Sequence, residues 1–121
     1  MNEIEVQFTG GNGQRGLHVV IIEPRNGQIL LAKVFDTHQD ADTFDRFIVH
    51  SLPEGTIVVA ACKDDCSMSL SENAKQWFAN MGSEEIWKLR YRFGFAFIGF
   101  SGRKQANEKR AMEDTEQPSV T

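Results

Sequence analysis

Leu17-His18-Val19-Val20-Ile21-Ile22, the turn segment Pro24-Arg25-Asn26-Gly27 and the run Gln28-Ile29-Leu30-Leu31-Ala32-Lys33-Val34-Phe35 decide the fold class. The first run is β-branched and nearly continuous in apolar residues, the pattern of a strand buried on both faces. Asn-Gly tolerates the positive φ angles of a tight turn, so the second run is expected to return as an antiparallel partner. Upstream, Glu3-Ile4-Glu5-Val6-Gln7-Phe8 alternates apolar and polar residues and reads as a half-buried strand. A glycine-rich loop, Gly10 to Gly16, separates it from the hairpin.

Downstream the period changes. Asp40 to Leu52 places apolar residues at 44, 47, 48 and 52 with acids near its start. That spacing predicts a helix, which Pro53-Glu54-Gly55 stops. Thr56-Ile57-Val58-Val59-Ala60-Ala61-Cys62 predicts another buried strand. A second helix is expected to start near Ser69 or Ser71, where Ser69-Leu70-Ser71-Glu72 has the spacing of a capping box. It runs through Ala74, Trp77, Phe78 and Met81 to a Gly82 suited to the C′ position. Two strand-like runs follow, Leu89 to Phe93 and Phe95 to Phe100. Beyond them the composition shifts: residues 102–121 hold no aromatic, and among them only Ala106, Ala111, Met112 and Val120 are apolar. This segment is expected to be a disordered tail, or at most a short exposed helix over Glu108 to Glu113. The order of elements is that of one α+β domain.

The chain of 121 residues is 40% hydrophobic, with nine Phe and two Trp against one Tyr, enough to build a dry aromatic core. Its net charge of −4 and isoelectric point near 5.3 exclude a basic nucleic-acid module. The segment beyond residue 101 balances its own cations and anions, so the negative charge belongs to the body. This favours a neutral sugar or a protein over a polyanion as partner. No apolar run approaches the roughly 18 residues of a membrane-spanning helix. Met1-Asn2-Glu3-Ile4-Glu5 has neither a basic nor an apolar leader region, so no signal peptide is read. The expectation is either a cytosolic protein or a domain of a longer secreted one.

Several motifs resemble sites without the chemistry to support them. Gly11-x-Gly13-x-x-Gly16 spells a dinucleotide fingerprint, but a β-branched run follows the glycines where a helix N-terminus would have to meet the pyrophosphate. Asp36-Thr37-His38-Gln39-Asp40-Ala41-Asp42 alternates ligand types, yet Ala41 and Phe47 stand where a calcium loop needs Gly and Glu. It reads as a solvated helix N-terminus. Lys88, Arg90 and Arg92 interleave with Leu89, Tyr91 and Phe93, which on a strand makes a polar outer face rather than a nucleic-acid platform. Cys62 ends an apolar strand and reads as a small buried hydrophobe, although Cys66 in the following loop can pair with it in an oxidising compartment. Two cysteines with this spacing are neither a redox CxxC nor a zinc set, and no nucleophile–base pair emerges, so no catalytic residue, metal or cofactor is assigned. What remains is a polar set at strand ends. Arg15 opens one strand, Asp64 and Asp65 close another, and Arg92 lies on a late one. Such a set is either a structural ion-pair group or a site for sugar hydroxyls.

These pieces, in order, resemble the GG domain, also called the ILEI/PANDER domain. The resemblance runs from Arg15-Gly16-Leu17-His18-Val19-Val20 through Asn26-Gly27, Val34-Phe35-Asp36-Thr37, Pro53-Glu54-Gly55-Thr56-Ile57-Val58-Val59-Ala60 and Lys63-Asp64-Asp65. It continues in Ala74-Lys75-x-x-Phe78-x-x-Met81-Gly82-Ser83 and closes on Leu89-Arg90-Tyr91-Arg92-Phe93-Gly94-Phe95-Ala96-Phe97-Ile98-Gly99. It implies a compact antiparallel β-sandwich-like domain with two or three short helices packed on it. The expected organisation is an N-terminal strand and Gly-rich leader over 1–13, the domain over 14–101 and the tail over 102–121. The family includes interleukin-like secreted signalling proteins, a glycosyltransferase stem domain and domains of hyaluronan-handling cell-surface proteins, none of which implies catalysis. The stem-type domain binds glycan through positions that read Arg15, Asp64 and Arg92 here. The resemblance therefore implies a non-enzymatic, lectin-like module for a neutral glycan or glycoprotein. The alternative is a protein-interaction or cytokine-like signalling domain with a protein receptor, in which the polar cluster is structural. The paired cysteines of the secreted members are not matched by Cys62 and Cys66.

Overall fold

A computed structural model of the chain describes residues 6–7, 15–50, 52–112 and 119–120. The elements in chain order are β1 (Val6–Gln7), β2 (Gly16–Ile22), β3 (Ile29–Phe35), α1 (Asp42–Ile48), β4 (Ile57–Lys63), α2 (Glu72–Asn80), a 3-10 turn (Glu85–Lys88), β5 (Gly94–Phe100), β6 (Ala106–Ala111) and β7 (Ser119–Val120). Five strands form one sheet in the order β3-β2-β4-β5-β6, every neighbouring pair antiparallel. β1 and β7 pair separately as a short antiparallel ribbon. Both edges of β4 and of β5 are taken within the sheet, so the ribbon, which touches both strands, stacks on a face rather than extending the ladder. The domain is α+β, as the sequence implied.

One face of the sheet carries the main core. Leu17, Val19, Ile21, Val58, Ala60, Phe95 and Phe97 alternate onto it, and Phe44 of α1 with Ala74 and Phe78 of α2 close over them. Phe78 is the centre of this packing, its ring 5.0 to 6.2 Å from those of Trp77, Phe97, Phe95 and Phe44. Edge-to-face aromatic pairs of this kind add roughly 0.5–1.5 kcal/mol each beyond the area they bury. The other face holds Ile57, Val59, Ala61 and Ile98, flanked by Val20, Ile22 and Phe100. Both faces of β4 and β5 are therefore dry. β2 is less so: Leu17, Val19 and Ile21 are buried, while His18, Val20 and Ile22 are half-buried.

The helices follow local chemistry. Ser71 is the N-cap of α2, its hydroxyl accepting the Ala74 N–H at 3.0 Å. At the other end the Ser83 N–H bonds the Phe78 carbonyl and the Gly82 N–H that of Ala79, a Schellman closure with Gly82 at C′. α1 is shorter than its periodicity predicts, and Asp40 supports its first turn by accepting the Asp42 N–H at 2.8 Å and the Thr43 hydroxyl at 2.6 Å.

The hairpin forms as read: the Glu23 N–H bonds the Gln28 carbonyl and so closes the loop over Pro24–Gly27, in which Gly27 holds φ 73°. A register shift lies between Ile21 and Ile22, and the Asn26 side-chain oxygen accepts the Gln28 N–H at 2.9 Å. Two expectations are corrected. Leu89 to Phe93 is not a strand but a turn, closed by the Phe93 N–H on the Arg90 carbonyl at 3.0 Å. Nor are residues 106–111 tail or helix: they form β6, paired with β5 from Gly94↔Ala111 to Gly99↔Ala106. An edge strand needs little apolar surface when its half-buried polar side chains find partners, and Glu108 and Arg110 do so on the 3-10 turn. The leader over 8–14 and the tail over 113–118 lie outside the described residues.

Phe78→Ala removes the central ring and is expected to lower the unfolding free energy by about 3–5 kcal/mol, read as a reduced urea midpoint.

Candidate functional site

The site is built at one end of the sheet, where β2 begins and where β3 and β4 end. Gly16 holds φ 118°, and a Cβ there would lie 2.2 Å from the Phe35 carbonyl oxygen, so only glycine lets β2 start this close to the end of β3. That approach sets Arg15 against Asp36. The guanidinium grips the carboxylate in a fork, Nε to Oδ1 at 3.0 Å and Nη2 to Oδ2 at 2.8 Å, and Nη2 also reaches Gln39 Oε1 at 3.1 Å. The Arg15 hydrogen bond holds the Asp36 carboxyl below its ordinary range.

β2 and β4 pair with Gly16 opposite Lys63, so Arg15 lies beside the loop that follows β4. In that loop Asp64 takes φ 60°, and Asp65 turns inward until it is 1% exposed. Its carboxylate accepts five hydrogen bonds: from Arg92 N at 2.8 Å, Ser67 N at 3.2 Å, Ser67 Oγ at 2.9 Å and Met68 N at 3.2 Å, with His38 Nδ1 2.7 Å away. Burial pushes the Asp65 carboxyl upward, but the bonds from the Arg92 amide, His38 and Ser67 outweigh it, and the group titrates below the usual carboxylate range. A disulfide between Cys62 and Cys66, with Cα atoms 5.5 Å apart, brackets this loop. Of the two readings of the cysteines, pairing is the one realised.

Arg92 sits in the turn before β5 at φ 64°. Its main-chain N–H is fixed by Asp65, and its Nε lies 3.4 Å from Asp64 Oδ1 in a half-exposed ion pair. Asp64 and Arg92 are the non-glycine residues with positive φ among the described residues. For an arginine this costs roughly 1–2 kcal/mol, sustained by the Asp65 bond. The Arg92 guanidinium lies 6.0 Å from the Tyr91 ring, and the Tyr91 ring 6.2 Å from that of His38.

Arg15, Asp64 and Arg92 therefore share one end of the sheet, with Asp64 joined to Arg92 and Arg15 joined to Asp36. The sequence reading assigned Asp36, His38 and Gln39 to a solvated helix start, a role that begins only at Asp40. It named Asp65 without its central place. The adjacent acids at a strand end were the available signal, since a buried carboxylate must find donors. Among the described residues, no group of three or more His, Cys, Asp or Glu side chains could hold a metal ion, and no helix is long and apolar enough to cross a membrane.

Fold and site together define an antiparallel α+β domain with an arginine–aspartate cluster at the sheet end. A sequence profile of the family described as interleukin-like EMT inducer matches residues 15–103, and the chain belongs to that family. It is 32% identical over 94 residues to protein FAM3C of Rattus norvegicus, covering 77% of this chain and 41% of that protein. It is 30% identical over 92 residues to protein FAM3A of Homo sapiens, covering 75% and 40%. It is also 27% identical over 97 residues to the cell migration-inducing and hyaluronan-binding protein of Homo sapiens, covering 78% and 7%. The chain thus spans about two fifths of the FAM3 proteins and a small part of the third.

Two outcomes test this architecture. Because the Asp65 carboxyl titrates below its unfolded value, its contribution is complete above about pH 4 and is lost as pH falls through the folded value. Asp65→Asn is expected to cost about 3 kcal/mol at neutral pH and to flatten the acid side of the stability profile, measured by urea unfolding between neutral and acid pH. The disulfide closes a loop of sequence separation 4. Cys62→Ser/Cys66→Ser is expected to cost about 2 kcal/mol, seen as a lower Tm that a dithiol reductant reproduces in the parent chain.

Proposed function

We propose that this chain is a non-enzymatic, cytokine-like recognition domain that engages a protein receptor, and that its arginine–aspartate cluster is the scaffold of the recognition surface. The observation that carries this reading is the Asp65 carboxylate, whose five hydrogen bonds all come from within the chain. The forked Arg15–Asp36 pair is likewise satisfied internally. A group so engaged is built for rigidity. Exposed beside it are Tyr91, 57% exposed, and Met68, 61% exposed, and half-exposed Arg92, whose guanidinium lies 6.0 Å from the Tyr91 ring. Tyr, Arg and Met are the side chains over-represented in protein–protein interfaces, and rigid presentation lowers the entropic cost of binding. The family description, interleukin-like, agrees with a signalling role.

A second reading is carbohydrate recognition by Arg15, Asp64 and Arg92. Guanidinium donors beside an exposed carboxylate suit sugar hydroxyls, Tyr91 offers a stacking face, and one relative is named as hyaluronan-binding.

One experiment separates them. Labelled protein is applied to cultured cells pretreated with protease or with glycosidases. Saturable binding that protease abolishes, that glycosidases spare and that Tyr91→Ala/Met68→Ala weakens at least tenfold supports the receptor reading; that loss is about 1.4 kcal/mol or more. Binding abolished by glycosidases and by Asp64→Ala with unchanged Tm selects the sugar reading.

A further inference from the structure

The two ends of the Cys62–Cys66 bridge stand in different surroundings. Cys62 belongs to β4 and is paired on both sides, opposite Leu17 of β2 and Phe95 of β5, so the sheet fixes it. Cys66 lies beyond the end of the strand, in the loop that the bridge ties back. Between them the chain passes through Asp64 at φ 60°, a conformation that side chains other than glycine rarely adopt, and then turns Asp65 inward. The clamp therefore spans a strained residue and the buried carboxylate beside it. That carboxylate also holds the Arg92 N–H, and Arg92 is the second strained residue, at φ 64°. The main aromatic packing lies elsewhere, around Phe78, and the sheet ladder closes without the bridge. The chain holds no third cysteine, so the bond has one pairing, made or open.

We propose that the Cys62–Cys66 bridge is a redox switch for the recognition end of the domain. Oxidised, it holds the Asp64–Met68 loop and, through Asp65, the Tyr91–Arg92 turn in one geometry; reduced, it lets both relax while the sheet stays folded. The consequence for binding rests on the receptor reading. The reductant is a dithiol, and its point of attack follows from burial: Cys62 is half-buried, whereas Cys66 is 1% exposed. A thiolate of the dithiol attacks Cys62 Sγ, the S–S bond breaks, and Cys66 leaves as a thiolate that takes a proton. The second thiol then attacks the mixed disulfide, closes the dithiol into its own disulfide and releases Cys62 as a thiol. Two electrons pass from the dithiol to the protein. The open form buries no new charge, because a free cysteine packs as a small apolar residue. It does lose the constraint on the loop, and the left-handed turn at Asp64 is then free to relax.

Amide hydrogen exchange on the full chain, oxidised and in dithiothreitol, tests it. Reduction is expected to speed exchange at Ser67, Met68 and Arg92, the amides that bond Asp65, by about tenfold or more, while Val59 and Phe97 in the sheet keep their protection. Oxidised glutathione, added once the dithiol is removed, restores slow exchange. Cys62→Ala/Cys66→Ala exchanges at the fast rate with or without dithiol, which separates opening of the bridge from other effects of the reagent. On untreated cells the same variant binds about tenfold more weakly than the parent chain. Three results overturn the proposal: loop amides as protected after reduction as before, a reduced chain with no folded baseline in circular dichroism, or a variant that binds cells as tightly as the parent. The exchange measurement contains no receptor, so failure of the switch is distinct from failure of the receptor reading, which shows as no protease-sensitive binding by the oxidised chain.

Discussion

A buried carboxylate without donors would destabilise this domain by several kcal/mol, so the end of the sheet is organised around supplying Asp65 with them. The donors arrive from three separate places: His38 after β3, Ser67 and Met68 within the same loop, and the Arg92 amide just before β5. One side chain thus ties the ends of β3 and β4 to the start of β5. The positive φ of Arg92 and the half-exposed Asp64–Arg92 pair accompany that tie, in the turn whose N–H meets Asp65. The neighbouring disulfide shortens the path between Cys62 and Cys66 and narrows the conformations from which the loop must be selected.

The rest of the molecule gives this end something rigid to stand on. The aromatic cluster around Phe78 packs both helices onto one face of the sheet, and dense packing of this kind is hard to compress. Rigidity at the base and exposure at Tyr91 and Met68 are what the proposed receptor-binding role requires, since a surface already ordered loses less entropy on binding.

How far the sequence could be read followed the range of the interactions. The β2–β3 hairpin, β4 and α2 were legible because alternation, β-branching, the Ser71 cap and the Gly82 closure act within a few residues. Leu89 to Phe93 misled because its alternation copies a strand, while the backbone there answers to Asp65, 27 residues from Arg92. β6 misled for a related reason: its polar residues look solvated until Glu108 and Arg110 meet the 3-10 turn 23 to 25 residues away.

The sequence by itself determined a single α+β domain, the order of its main strands and helices, and the apolar face each element buries, since period and capping are local properties of a chain. Only the tertiary structure decided that Arg15 would be matched by Asp36, that Cys62 would pair with Cys66, and that Asp65 rather than Asp64 would hold the sheet end together. Each of these depends on burial and on donors brought from distant segments. A carboxylate acquires such a role only when folding removes its water and sets other groups in place of it.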